Sequence, residues 1–140
     1  MSWIEGFEHS LSRSSRPGYP SKNVSRVEVQ SWIQQIRKLG IRSIICLLTD
    51  EQLEYYQQLP EGLLGEYRQM GFKVFHFPIT DPAEDLHRGQ KELKDNHERI
   101  YQAFLQAPKP VLIHCSAGVD RTGSVVNFIL HRWCGDGNQS

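Results

Sequence analysis

The stretch Val111-Leu112-Ile113-His114-Cys115-Ser116-Ala117-Gly118-Val119-Asp120-Arg121-Thr122-Gly123-Ser124-Val125-Val126-Asn127-Phe128-Ile129-Leu130 decides how the rest of the chain is read. Val111 to Ile113 have the composition of a short buried strand, and Ser124 to Leu130 read as a buried helix. His114 to Gly123 form the loop between them. A cysteine and an arginine six positions apart on such a loop make a site for a phosphate dianion and for a nucleophile that attacks it.

The spacing has a physical reason. A tight loop at a helix N-terminus turns several backbone N–H groups inward, and the positive end of the helix dipole favours an anion there. Gly118 and Gly123 have no Cβ and tolerate close approaches. Ser116, Ala117, Gly118, Val119 and Asp120 would line the cradle with their backbone. Arg121 offers a planar fork that can bind two phosphate oxygens at once. Cys115 would sit at the bottom as a thiolate, the reactive form. The Thr122 hydroxyl can donate to that sulfur when it leaves. His114 is placed to orient the loop rather than to act as a base. The plainer reading is a buried cysteine at a strand end and an arginine in a surface ion pair. The histidine, the glycines and the threonine at their spacings favour the chemical reading.

His114 to Gly123 resembles the phosphate-binding loop of the cysteine-dependent protein tyrosine phosphatase superfamily, His-Cys-x2-Gly-x2-Arg-Ser/Thr-Gly. The resemblance implies a phosphocysteine mechanism with no metal or other cofactor. It also implies an aspartate on a separate loop as general acid, roughly thirty residues before the cysteine. Phe72 to Phe77 read as a strand, and Pro78-Ile79-Thr80-Asp81-Pro82-Ala83-Glu84-Asp85 follow as a proline-punctuated loop. Asp81 is the preferred acid, ahead of Asp85 and then Glu84. Asp85 better fits the cap of the next helix.

The chain of 140 residues suits one domain: a basic N-terminal strand and loop over 1–23, a catalytic core over about 24–134 and a frayed tail over 135–140. Sixteen basic residues balance sixteen acidic ones, so no net field draws the protein to nucleic acid or membrane. No apolar run is long enough for a membrane span, and no signal peptide is evident. Three cysteines are too few for a disulfide framework, and a required thiolate fits a reducing, cytoplasmic setting. Cys46 and Cys134 read as packing residues; a regulatory disulfide from either to Cys115 is the alternative. A monomer is expected.

Residues 9–27 carry Arg13, Arg16, Lys22 and Arg26 and no acid. They would form either a basic rim at the site or an exposed basic loop. Ser25 and Glu28 form a capping-box pair, opening a helix with Val27, Trp32, Ile33, Ile36 and Leu39 inward and Gly40 at its end. Ile41 to Leu48 read as a buried strand. Residues 50–59 and 61–70 read as short helices parted by Pro60 and closed by Gly71. Tyr55, Tyr56 and Tyr67 are expected to pack with their hydroxyls exposed. His87 to Ala107 carry a helix with Leu93, Ile100, Phe104 and Leu105 inward.

Strands alternating with helices predict an α/β fold: one three-layer domain with a mostly parallel sheet of four to five strands flanked by helices. The order of elements from Val24 to Trp133 is similar to the small dual-specificity branch of the superfamily. The resemblance implies a hydrolase of phosphomonoesters. The uncharged Ser116, Ala117 and Val119 and the acidic Asp120 favour a phosphoprotein, with phosphotyrosine and also phosphoserine or phosphothreonine as targets. The alternatives are a phosphoinositide, an inositol phosphate or an RNA 5′ end. Two other classes are a phospho-binding module without turnover and a rhodanese-like sulfur transferase.

Overall fold

Strand β5, Val111–His114, is buried along its whole length, because it lies between two neighbours and under helices on both faces. The computed structural model describes residues 1–136. Strands β1 (Ser2–Trp3), β2 (Leu11–Ser14), β3 (Ser43–Cys46), β4 (Lys73–His76) and β5 form one sheet in the order β1-β2-β5-β3-β4. All pairings are parallel except β1 with β2. The register places Ser14 and Cys46 on either side of His114. The sequence reading did not include β1, which is two residues long.

The helices are α1 (Arg26–Lys38), α2 (Asp50–Leu53), α3 (Gly62–Gln69), α4 (Leu86–Gln106) and α5 (Asp120–Gly135), with a 3-10 turn at Glu54–Tyr56. Alternate side chains of each strand point to opposite faces. Ile45, Leu47, Val111 and Ile113 join Leu93, Ile100 and Phe104 of α4 and Val125, Val126 and Ile129 of α5 in one core. Ile44, Cys46, Leu48 and Leu112 join Val29, Trp32, Ile33 and Ile36 of α1 and Leu63 and Tyr67 of α3 in the other. The three layers follow from this division. Burial on both faces explains why β3 and β5 are nearly continuous in apolar residues.

Several expectations need correction. Val27 is 75% exposed and Leu39 is also exposed; Val29 fills the inward position instead. Val27 lies in the first turn of α1, before the apolar stripe begins. Ser25 does cap α1, accepting from the Glu28 N–H, but Glu28 meets the Ser25 hydroxyl rather than its backbone N–H. Leu105 points to solvent because its neighbour Phe104 takes the core position. The strand expected over Ile41–Leu48 pairs as a strand only over Ser43–Cys46, and its ends carry the connections. Gly135 is the last residue of α5 rather than the start of a frayed tail, and Asp136 caps it. Residues 137–140 of that expected tail lie outside the described residues.

The packing sets a stability contrast. Ile45→Ala, in the double-sided core, should cost about 2–5 kcal/mol. Val27→Ala should change stability by less than about 0.5 kcal/mol. Urea unfolding of the two variants against the parent chain checks both values.

Candidate active site

The C-terminal ends of β3, β4 and β5 converge, and in parallel sheets ligands bind at that edge. β5 ends at His114, the loop turns through Cys115 to Val119, and α5 begins at Asp120. Gly118 sits at φ +79°, and a Cβ there would lie 2.5 Å from the Ser14 carbonyl group. Only glycine allows the loop to press against the end of β2 in this way. Helices α1, α2 and α4 are capped by the side chains of Ser25, Thr49 and Asp85. Val119, at the corresponding position of α5, has no side chain that can cap. The N–H groups of Ser116, Ala117, Gly118 and Val119 donate to no backbone acceptor among the described residues. These donors and the helix end make an anion cradle.

Cys115 is buried at the base of this loop. Arg121, in the first turn of α5, is also buried. Its Nη1 donates to Gln52 Oε1 and to the Ile79 carbonyl, each at 2.8 Å, with the Leu47 carbonyl at 3.4 Å. One nitrogen of the fork is therefore held by α2 and by the chain beyond β3 and β4. Nε and Nη2 make no protein hydrogen bond among the described residues and remain for two oxygens of an anion. Gln52 is itself fixed by a complete capping box: its N–H donates to Thr49 Oγ1 and its Oε1 accepts from the Thr49 N–H. The Thr-x-x-Gln pattern at Thr49 was the sequence signal for this clamp, and the sequence reading passed over it.

Asp81 Oδ2 lies 3.6 Å from Arg121 Nη2, and its side chain is partly exposed. Its other oxygen accepts from the Ala83 N–H at 2.9 Å. The segment around it is held from α4. The Thr80 N–H donates to Glu92 Oε1 at 2.7 Å, and the Thr80 side chain first, then this N–H and Arg88, hold the Glu92 carboxyl below the usual carboxylate range against the effect of burial. Gly89 lets the loop lie on the helix, since a Cβ there would meet the Thr80 carbonyl oxygen at 2.7 Å. Asp85 caps α4 through the Arg88 N–H instead, and Glu84 is exposed beside a cavity of about 350 Å³ lined by Asp50, Glu51 and Glu92. The structure thus brings Cys115, Arg121 and Asp81 together and leaves Asp85 and Glu84 outside.

His114 is fully buried on the opposite face of β5 from Cys115. Its Nδ1 lies 3.1 Å from the Cys115 carbonyl and its Nε2 3.0 Å from the Tyr67 hydroxyl. A carbonyl only accepts, so Nδ1 carries the proton and Nε2 accepts from Tyr67. Burial, against the opposing pull of the Cys115 carbonyl and aided by Arg121, Arg16 and His76, pushes the imidazole down to about 4. The ring is neutral at pH 7 and fixes the backbone at Cys115. Tyr67 is therefore not a tyrosine with an exposed hydroxyl. Nor is Tyr56, whose hydroxyl donates to the Pro17 carbonyl at 2.7 Å. Burial raises both phenols, Tyr56 to about 12. The Thr122 hydroxyl is buried with no hydrogen-bond partner among the described residues.

Three of the four basic residues of the N-terminal segment are engaged, and only Lys22 is exposed with no partner among the described residues. Arg13 donates to the carbonyls of Gly118 and Val119, at 2.8 and 3.0 Å. Arg16 meets Ser116, and Arg26 pairs with Glu66. Cys46 projects to the α1 side of the sheet and Cys115 to the α5 side, and burial pushes the Cys46 thiol up to about 12. Cys134 is exposed rather than a packing residue, because it lies on the outer side of the last turn of α5, fourteen residues from Asp120 and about 20 Å away. Neither cysteine is placed to form a disulfide with Cys115. Among the described residues no helix is long and apolar enough to cross a membrane, and no cluster of three His, Cys, Asp or Glu side chains is arranged for a metal ion.

The family Tc-R-P, described as polymorphic toxin system, DSP-PTPase phosphatase, matches residues 21–135. The chain belongs to this family. It is 34% identical over 105 residues to Inositol diphosphatase DSP1 of Oryza sativa subsp. japonica, covering 71% of this chain and 41% of that protein. The chain therefore spans about two fifths of the length of that relative. A search of solved structures finds the core catalytic domain of the PP-IP phosphatase SIW14 from S. cerevisiae, in complex with citrate. The match has 22% identity and a TM-score of 0.48, over 83% of this chain and 57% of that one. The matched range, residues 21–135, takes in the loop His114 to Gly123.

His114 links the site to stability. Unfolded, the ring takes a proton near pH 6.5; folded, not until about pH 4. Between these values the unfolded chain binds more protons, so this contribution rises with pH and is lost as pH falls through the window. Between pH 7 and pH 4.5 the parent protein should lose about 2–3 kcal/mol that His114→Gln does not lose. Urea unfolding at the two pH values measures the difference.

Proposed function

We propose that the protein is a phosphohydrolase that works through a phosphocysteine. The observation that carries this is the fixing of Arg121: with Nη1 held by Gln52 and Ile79, Nε and Nη2 are left for an anion above buried Cys115. The Cys115 thiolate attacks phosphorus in line with the leaving oxygen. The S–P bond forms, the P–O bond breaks, and the electron pair goes to the departing oxygen. Arg121 and the loop N–H groups of Ser116 to Asp120 hold the equatorial oxygens as charge spreads over them. Asp81 protonates the leaving oxygen, then accepts a proton from the water that hydrolyses the phosphocysteine. Thr122, with its unpartnered hydroxyl, donates to the departing sulfur. His114 keeps the loop in position.

An inositol phosphate, an alternative on the sequence alone, is the first substrate reading here, supported by similarity to an inositol diphosphatase. The named relative is an inositol diphosphatase, and it supports an inositol phosphate carrying a diphosphate as the substrate. In that reaction the leaving group is itself a phosphate, which departs with less help from an acid than an alkoxide does. A phosphoprotein is the second reading, and the charge of the mouth favours it. Val119 is 60% exposed, Asp120 is exposed, and the cavity next to Gln52 is lined by Asp50, Glu51, Glu84 and Glu92 against one cation, Arg88, which pairs with Glu92. These carboxylates repel a substrate with many phosphates.

Phosphate release in chelator tests both readings, with Cys115→Ser as the blank. Faster release from a diphosphoinositol phosphate than from phosphotyrosine and phosphothreonine peptides supports the first. Release from peptides alone supports the second. Release unaffected by Cys115→Ser would overturn the phosphocysteine mechanism. Asp81→Asn should slow an alkyl phosphate about 10²-fold or more and a diphosphate much less. Equal slowing of both would remove Asp81 from the role of acid.

A further inference from the structure

Arg16 is 2% exposed, yet no carboxylate lies within ion-pair distance of it among the described residues. A buried charge without an opposite partner is costly. Its contacts are all neutral. Nε donates to the Ser116 hydroxyl at 3.1 Å, and Nη1 donates to the Tyr56 hydroxyl at 3.2 Å. The guanidinium lies 4.8 Å from the centre of the Tyr55 ring and 5.5 Å from that of Tyr19. The backbone joins in, with the Arg16 N–H donating to the Ser116 carbonyl at 2.9 Å. The guanidinium is thus fastened to the residue that follows Cys115 and is shielded from water by three tyrosine rings.

We infer that Arg16 is a further cation of the phosphate loop, beside Arg121 and Arg13: a buried positioning residue that sets Ser116 and whose charge is answered by the anion on that loop. The inference rests on the phosphocysteine reading and adds to it. Arg121 would grip the anion directly, whereas Arg16 acts from behind, through Ser116 and through its field. Low polarity around Arg16 lengthens the reach of that field. The planar fork also explains why arginine suits the position: one edge bonds Ser116 while the face packs on tyrosine rings.

The experiment separates charge from hydrogen bonding. Iodoacetate and iodoacetamide both alkylate a cysteine thiolate, but only iodoacetate is an anion. The ratio of their rates at Cys115, at one pH, reports local positive potential. Arg16→Met should lower that ratio about fivefold or more and weaken inhibition by inorganic phosphate about tenfold. Arg16→Lys should hold the ratio within twofold while kcat falls, because the bond to Ser116 is lost. Ser116→Ala, at a partly exposed position, should lower kcat at unchanged ratio. A folded Arg16→Met with both ratio and phosphate inhibition within twofold of the parent overturns the charge role. Unchanged kcat in Ser116→Ala overturns the coupling, whether or not Arg16→Met folds. Failure of the parent reading looks different: the unmodified protein itself would then show no preference for iodoacetate and no Cys115-dependent turnover.

Discussion

The buried guanidinium of Arg121 joins the parts of the site that the chain supplies from separate places. Its Nη1 meets α2 at Gln52 and the chain beyond β4 at Ile79; its Nη2 faces Asp81. Arg121 itself belongs to the first turn of α5, directly after the loop that holds Cys115. One side chain therefore ties together the Cys115 loop, the Asp81 segment and the short helix α2. The cost of burying the charge is offset by these bonds and by the carboxylate of Asp81.

The same logic extends outward. The loop needs its backbone donors turned toward an anion, so its own carbonyls must be held by something else. Arg13 takes those of Gly118 and Val119, and Arg16 takes the hydroxyl of Ser116. Behind the loop, neutral His114 and Tyr67 fix the Cys115 carbonyl from the other face of the sheet. The acid segment is held in turn by Glu92 and by the close approach at Gly89. Pre-organisation of this kind keeps a reactive group in place without rearrangement at the moment of reaction.

Substrate choice is set at a different level from the reaction. In the proposed mechanism the phosphoryl group meets backbone N–H groups and Arg121, which do not distinguish a protein from an inositol. Discrimination would then fall to exposed groups nearby, Val119, Asp120 and the charged side chains of α2 and α4. That is why similarity to an inositol diphosphatase and the carboxylates near the loop point in different directions.

The sequence by itself determined the strand, loop and helix at residues 111–130, the alternation of elements and the cap at Asp85. These depend on neighbours a few residues apart, so composition and spacing carry them. It also contained Thr49-x-x-Gln52 and an acid-free segment at 9–27, but not what either would touch. Only the tertiary structure decided that Arg13 would clamp Gly118, 105 positions away, and that Gln52 would hold Arg121, 69 positions away. It likewise turned Tyr56 and Tyr67 inward with partnered hydroxyls, and placed Cys46 and Cys115 on opposite faces. Such contacts arise from the order of strands in the sheet. That order places β5 between β2 and β3, and no local pattern in the chain encodes it.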